Sequence, residues 1–202
     1  MRLLPEEGDL KPVVEETLSL IDRIHKAPGL PPVPVLYTRA MNPYARYVPG
    51  DGRPDHIQLS RFGPYPRLSL THEIGHLLDH TLGNYGVYSS RRQTSSLISA
   101  LQAMERSRAI HSLRAVADGT VTAEGGVVLR QIAYWLEPEE MWARAYAHYI
   151  SLRSDNGRMQ TELRTARTRE VLATYRNVQW EDADFEPIAE AIDTAFWELG
   201  WR

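Results

Sequence analysis

The sequence predicts an α+β fold, mainly helical, with a small β-sheet preceding one central helix. Three observations point there. Apolar residues recur at helical spacing over most of the chain. Two short strand-like stretches, 33–37 and 56–60, both lie before that helix. Proline- and glycine-bearing segments at 28–34, 41–55 and 63–66 separate these pieces.

Along the chain, residues 11–26 read as an amphipathic helix, with Val13, Val14, Leu18, Ile21 and Ile24 at helical spacing. The prolines from Pro28 to Pro34 end it. Val33-Pro34-Val35-Leu36-Tyr37 reads as a short strand, placed at a sheet edge because Pro34 has no N–H to donate. Residues 41–55 carry Pro43, Pro49, Gly50, Asp51, Gly52 and Pro54 and read as a loop. His56-Ile57-Gln58-Leu59-Ser60 alternates and reads as a second strand. Gly63-Pro64-Tyr65-Pro66 turns the chain into a helix over 67–82, which Gly83-Asn84 stops. Ser89-Ser90-Arg91-Arg92-Gln93 reads as an exposed loop. Helices follow over 93–116, 123–135, 138–153, 158–176 and 185–199, with a turn at Asp118-Gly119-Thr120 and Pro138 in the first turn of its helix.

Composition narrows the function classes. At 43% hydrophobic and 24% charged the chain is ordinary for a globular protein, and 202 residues fit one domain. A formal net charge of -3 gives no reason to expect nucleic acid as a partner. There is no cysteine, so any metal site must use His, Asp or Glu. The first residues lack the apolar stretch of a signal peptide, and no run approaches the roughly 18 apolar residues of a membrane span. The expectation is a cytoplasmic protein with no membrane or nucleic-acid partner; an effector exported by a non-classical route would look the same.

The most specific segment is His72-Glu73-Ile74-Gly75-His76. By chance an HExxH pattern is expected in only about 2% of chains of this length and composition. Histidines four apart on a helix lie one turn apart on one face, where their imidazoles can share a metal ion. Glu73 between them is the candidate general base for a metal-activated water. Leu70, Ile74, Leu77 and Leu78 would bury the other face. Gly75 costs about 1 kcal/mol in a helix relative to Ala, which suggests close approach of another element.

A catalytic zinc usually has three protein ligands and one open position. His80 extends the series, but eight residues place it about 12 Å along the helix from His72, too far for one ion to serve both. Asp79 and His80 are therefore candidates for supporting the ligands from behind. The better third ligand is Glu140, which shares a helical face with Ala143, Ala147 and Ile150. Small residues there would let the two helices pack closely. On residue spacing alone Glu140 serves equally well as an acid favouring its helix N-terminus.

Together, His72-Glu73-Ile74-Gly75-His76-Leu77-Leu78-Asp79 and Glu140-Met141-Trp142-Ala143-Arg144-Ala145-Tyr146 resemble the gluzincin pattern of the anthrax lethal factor-like metallopeptidase domain. The resemblance covers roughly 56–153. It implies a zincin-like fold, Zn²⁺ held by His72, His76 and Glu140, Glu73 as base, and a tyrosine shortly before the third ligand that stabilises the oxyanion. Tyr134 stands near that place, though a tyrosine in Tyr134-Trp135 could equally be core. The resemblance also implies an extended substrate lying along the strand at 56–60. Two departures stand out: the interval between the motifs is longer than in the family, and Arg144 occupies the position of an acidic residue.

The expected organisation is a single zincin-like domain over 1–202, with a metal-site core at about 56–153 and a helical part at about 154–202. The expected activity is zinc-dependent hydrolysis of peptide bonds in a protein or peptide substrate. Alternatives are a regulatory or toxin-type protease with one dedicated target, and a non-catalytic interaction module with a closed structural metal site. Arg153, Arg158, Arg164, Arg167, Arg169 and Arg176, offset by Asp155, Glu162 and Glu170, read as a solvated helix face, with an acidic docking partner as the alternative. Phe196, Trp197 and Trp201 read as core packing of the last helix, with an oligomer contact as the alternative. His25, His56, His111 and His148 show no spacing that suggests a second metal.

Overall fold

Strands come first, and their register explains which of them the sequence hides. The structure is a computed structural model that describes residues 3–40, 42–92, 95–120, 129–173 and 179–202. Strand β1 (Leu3–Pro5) leads into helix α1 (Lys11–Ile24), then β2 (Val33–Thr38), β3 (Ala45–Pro49) and β4 (Pro54–Ser60). The sheet order is β1-β2-β4-β3, with β1, β2 and β4 parallel and β3 antiparallel to β4.

The sheet departs from two expectations. The 33–37 strand is interior, not an edge. Its ladder with β4 begins at the Val35–Ile57 pair, so Pro34 stands just before it and its missing N–H removes no rung there. The 41–55 loop contains β3. Its prolines sit where a strand tolerates them: Pro49 lies at a register irregularity at the strand's end, and Pro54 is the first residue of β4. Between Pro43 and Pro49, Ala45 and Tyr47 are buried and Arg46 is exposed, the period-2 alternation of a strand. Gly52, at φ 63°, lies in the turn that Gly50 N–H and Arg53 O close at 2.8 Å.

The helices are α2 (Pro66–Leu82), α3 (Ile98–Glu105), α4 (Arg108–Ala117), α5 (Leu129–Trp135), α6 (Pro138–Arg153), α7 (Gly157–Ala173) and α8 (Asp182–Glu198). Among the described residues this makes a mainly helical α+β architecture, as the periodicity implied. The helix expected over 93–116 is divided: Ser107 adopts an extended backbone and its hydroxyl accepts the Ile110 N–H, starting α4 afresh. Residues 93, 94 and 123–128, and the end of the 158–176 helix, lie outside the described residues. The last helix begins three residues before the expected 185, at Asp182, with Pro187 inside it. Asp184, in its first turn, accepts the N–H groups of Arg108 and Ala109 and caps α4 from outside.

Helix α2 lies against β3 and β4 of the sheet, α1 and α6. Leu70, Ile74, Leu77 and Leu78 are fully buried. A Cβ on Gly75 would stand 2.9 Å from the Ala143 Cα, so the glycine is what lets α2 and α6 touch. Trp142 Nε1 donates to Gly75 O at 3.0 Å across the same contact. At its start, α2 is capped from a distance: Glu162 of α7 accepts the N–H groups of Arg67 and Leu68 at 2.9 and 3.0 Å. Glu162 is thus a partly buried cap, not one of the solvated acids of an arginine-rich face. Of the described arginines there, Arg153 binds Asp193 at 2.9 Å and Arg167 binds Asp182 at 2.7 Å; the Arg169 and Arg176 side chains lie outside the described residues. Phe196 and Trp201 are in the core, whereas Trp197 is 73% exposed. No helix among the described residues is long and apolar enough to cross a membrane.

Candidate metal centre

Close packing of α2 on α6 brings the two halves of the motif together. His72 and His76 project from α2 and Glu140 from the first turn of α6. Their Nε2 atoms lie 3.2 Å apart, His76 Nε2 is 3.1 Å from Glu140 Oε1, and His72 Nε2 is 3.5 Å from Glu140 Oε2. Ligands held at about 2.0–2.1 Å in a tetrahedron stand about 3.3 Å from one another, so the triangle has the size a zinc ion requires. The donor chemistry fits as well. Two imidazole nitrogens and a carboxylate meet in a mostly buried spot, and only shared protons or a cation can hold three such atoms together. Among the described residues this is the one group of His, Asp and Glu with that geometry, and it could hold a metal ion.

The charges at the group favour a positive partner for the carboxylates. Burial alone would raise the Glu140 carboxyl, but hydrogen bonds to His72 and His76 and their charges hold it well below the usual carboxylate range. Burial likewise pushes the His76 imidazolium down, yet the bond to Glu140 and the charges of Glu73, Glu140 and Asp79 outweigh it and leave it raised.

Glu73 is buried beside the group, and its Oε2 accepts the Tyr47 N–H at 2.6 Å. Ser60 N–H donates to Tyr44 O, so Tyr44 faces β4, and by alternation the backbones of Ala45 and Tyr47 face the free edge of β3. The strand at the cleft is therefore β3 and not the one at 56–60. Strand β4 lies between β2 and β3 and has no edge to offer. The Ala45–Tyr47 alternation and the Gly50-Asp51-Gly52 turn before β4 were the signals for a hairpin there.

Tyr134, at the end of α5, donates its hydroxyl to Glu140 Oε1. It is half-exposed, so it is not a core tyrosine. Burial, and next the bond to Glu140, hold its phenol well above the ordinary tyrosine range, so it is a proton donor. Arg144, in the place of the family's acid, donates to Trp135 O at 2.7 Å and lies 5.1 Å over the Trp180 ring. It thereby fixes the end of α5 that carries Tyr134. A cleft of about 270 Å³ runs from Glu73 and Tyr134 along α6 to Ala147.

Asp79 and His80 stay out of the metal group. Asp79 is fully buried and accepts from the Ser90 N–H at 2.7 Å and the Ser90 hydroxyl at 2.5 Å. Burial pushes its carboxyl up to about 6, against the Ser90 bonds. The segment expected to be an exposed loop is thus partly interior: Ser89 and Ser90 are buried in a 3-10 turn (Ser89–Arg91), because Asp79 needs a partner. Arg91 of that turn binds Glu137 and Glu139 at the start of α6, tying it to α2. Gln93 lies outside the described residues. His80 is engaged by Tyr47. Of the remaining histidines, His25 bonds the Tyr146 hydroxyl at 2.7 Å, and His148 bonds Arg167 at 2.7 Å and stacks on Phe185. No protein-family model, curated protein or solved structure matches this chain.

Proposed function

We propose that the protein is a zinc-dependent peptidase of gluzincin type, hydrolysing peptide bonds of a protein or peptide substrate. The observation that carries this reading is the convergence of His72, His76 and Glu140 in one wall of a cleft that also holds Glu73 and the free edge of β3. The resemblance of the two motifs to the lethal factor-like domain supports it.

Zinc bound by His72, His76 and Glu140 would supply Lewis-acid polarisation of the scissile carbonyl and a lowered pKa for a bound water. Every remaining task falls to the chain. The backbone N–H and C=O of Ala45 and the C=O of Tyr47 lie on the free edge of β3, where an extended substrate can pair with them. Glu73 takes the proton of the attacking water and delivers it to the departing amine nitrogen. Its Oε2 is occupied by Tyr47, which leaves Oε1 for proton transfer. Tyr134, protonated and half-exposed at the cleft, moves its hydroxyl from Glu140 to the oxyanion that develops on the substrate.

The interaction-module alternative calls for a closed site with a fourth ligand from Asp79 or His80. Asp79 is committed to Ser90 and His80 to Tyr47, which favours the open site. The test is mass-spectrometric profiling of new termini after incubation of zinc-loaded protein with a mixed protein digest. Wild type should produce defined cuts, and Glu73→Gln should slow them by about 10²–10⁴. Cuts of equal rate in both proteins, or none in wild type, would overturn the reading.

A further inference from the structure

His80 is the member of the 72, 76, 80 series that the metal group does not use. It lies one turn beyond His76 on the same flank of α2 and is only 4% exposed. Its Nδ1 stands 2.7 Å from the Tyr47 hydroxyl, and the two rings meet edge to face with centroids 5.7 Å apart. Tyr47 itself is 5% exposed, and its backbone N–H is the group bonded to Glu73. Glu73 and His80 are seven residues apart, about two helical turns, so they share a face of α2 about 10 Å apart along the axis. One tyrosine therefore grips α2 twice, by its backbone at Glu73 and by its ring tip at His80. Burial lowers the His80 imidazole, against a backbone hydrogen bond at Tyr85, and burial holds the Tyr47 phenol well above its ordinary value. The outer bond therefore joins a neutral imidazole to an intact phenol.

Edge strands are held by neighbours on one side only, so β3 needs a second constraint if its free-edge N–H is to stay on one carboxylate oxygen. We propose that His80 and Tyr47 are positioning residues: their side-chain bond locks β3 onto α2 in the register that keeps the Tyr47 N–H on Glu73 and the Glu73 carboxylate turned toward the metal group. The catalytic half of this proposal rests on the peptidase reading; the lock itself does not.

The experiment is residue-resolved amide hydrogen exchange on the zinc-loaded full chain, for wild type, Tyr47→Phe, His80→Leu and His80→Asn, beside zinc content and cleavage kinetics. Tyr47→Phe keeps the ring and the N–H and removes only the hydroxyl. It and His80→Leu should speed exchange of the Tyr47 amide about tenfold, the loss expected for one hydrogen bond, with zinc content unchanged. The Arg46 and Val48 amides, which face β4, should not change. His80→Asn, whose side-chain amide stands where Nδ1 does, should restore slow exchange. Unchanged exchange at Tyr47, or equal acceleration along all of β3, would overturn the lock. In cleavage, the first two variants should lower kcat with KM unchanged; faster exchange with unaltered kcat would overturn the catalytic half. A wild type that cleaves nothing defeats the peptidase reading and that half with it, while exchange still decides the lock.

Discussion

The Cα of Ala143 stands 2.9 Å from the position a Cβ on Gly75 would take. The metal group exists because of that contact, since His72 and His76 ride on α2 and Glu140 on α6. Gly75→Ala would gain about 1 kcal/mol of helix propensity. Against this stand about 1–3 kcal/mol of overpacking and a strained Trp142–Gly75 bond. We expect a net loss of stability, read as a lower Tm in thermal unfolding. The upward shift of Tm on adding zinc should also shrink, because parting the helices parts the ligands. A Tm equal to or above wild type would show that the interface yields without cost.

Tyr134→Phe separates donation to the substrate from support of the ligand. The hydroxyl touches Glu140 and sits on a half-exposed residue, so folding should be little affected. Zinc content should remain stoichiometric, with kcat lower by about 10²–10³, the range for loss of one oxyanion donor. Loss of zinc with the hydroxyl would instead make Tyr134 a residue that orients Glu140.

Asp79 gives the metal-free protein a pH dependence of known sign. Its carboxyl is raised from 3.8 to about 6 by burial, so the native state holds this proton more tightly than the unfolded chain does. Its contribution to stability is therefore full below about pH 4, falls as pH rises toward 6, and stays low above it. The total change is on the order of 2–3 kcal/mol. Asp79→Asn removes the titration and can still accept the Ser90 N–H. Denaturant unfolding of the metal-free protein should show a flatter stability profile between pH 4 and 6 for this variant, and equal or higher stability at pH 8. A variant with the wild-type slope would assign the pH dependence to other groups.

Much of this molecule is legible from local pattern. Helix α2 announces itself by its apolar face and flanking Pro66 and Gly83, and α6 by Pro138 and its acidic first turn. The pairing of His72 and His76 with Glu140 followed from one-turn spacing, small residues at 143 and 147, and the resemblance. What stayed hidden depends on partners distant in sequence. Nothing near Glu162 says that it caps α2, nor anything near Ser90 that it completes Asp79. Strand β3 was masked by Pro43, Pro49 and Pro54, which break a strand only when they stand in its interior. Arg144 looked like a mismatch with the family pattern, yet Trp135 and Trp180 give it a place that no spacing rule contains.

A site in which His72, His76 and Glu140 hold the metal and Glu73 stands outside it has a simple readout: the metal content of protein purified without added metal, for wild type, Glu140→Ala and Glu73→Gln. We expect close to one zinc per chain in wild type, loss of zinc in Glu140→Ala, and retention in Glu73→Gln. Zinc retained in Glu140→Ala would contradict the third ligand, and a wild type that neither carries zinc nor takes it up would contradict the site itself.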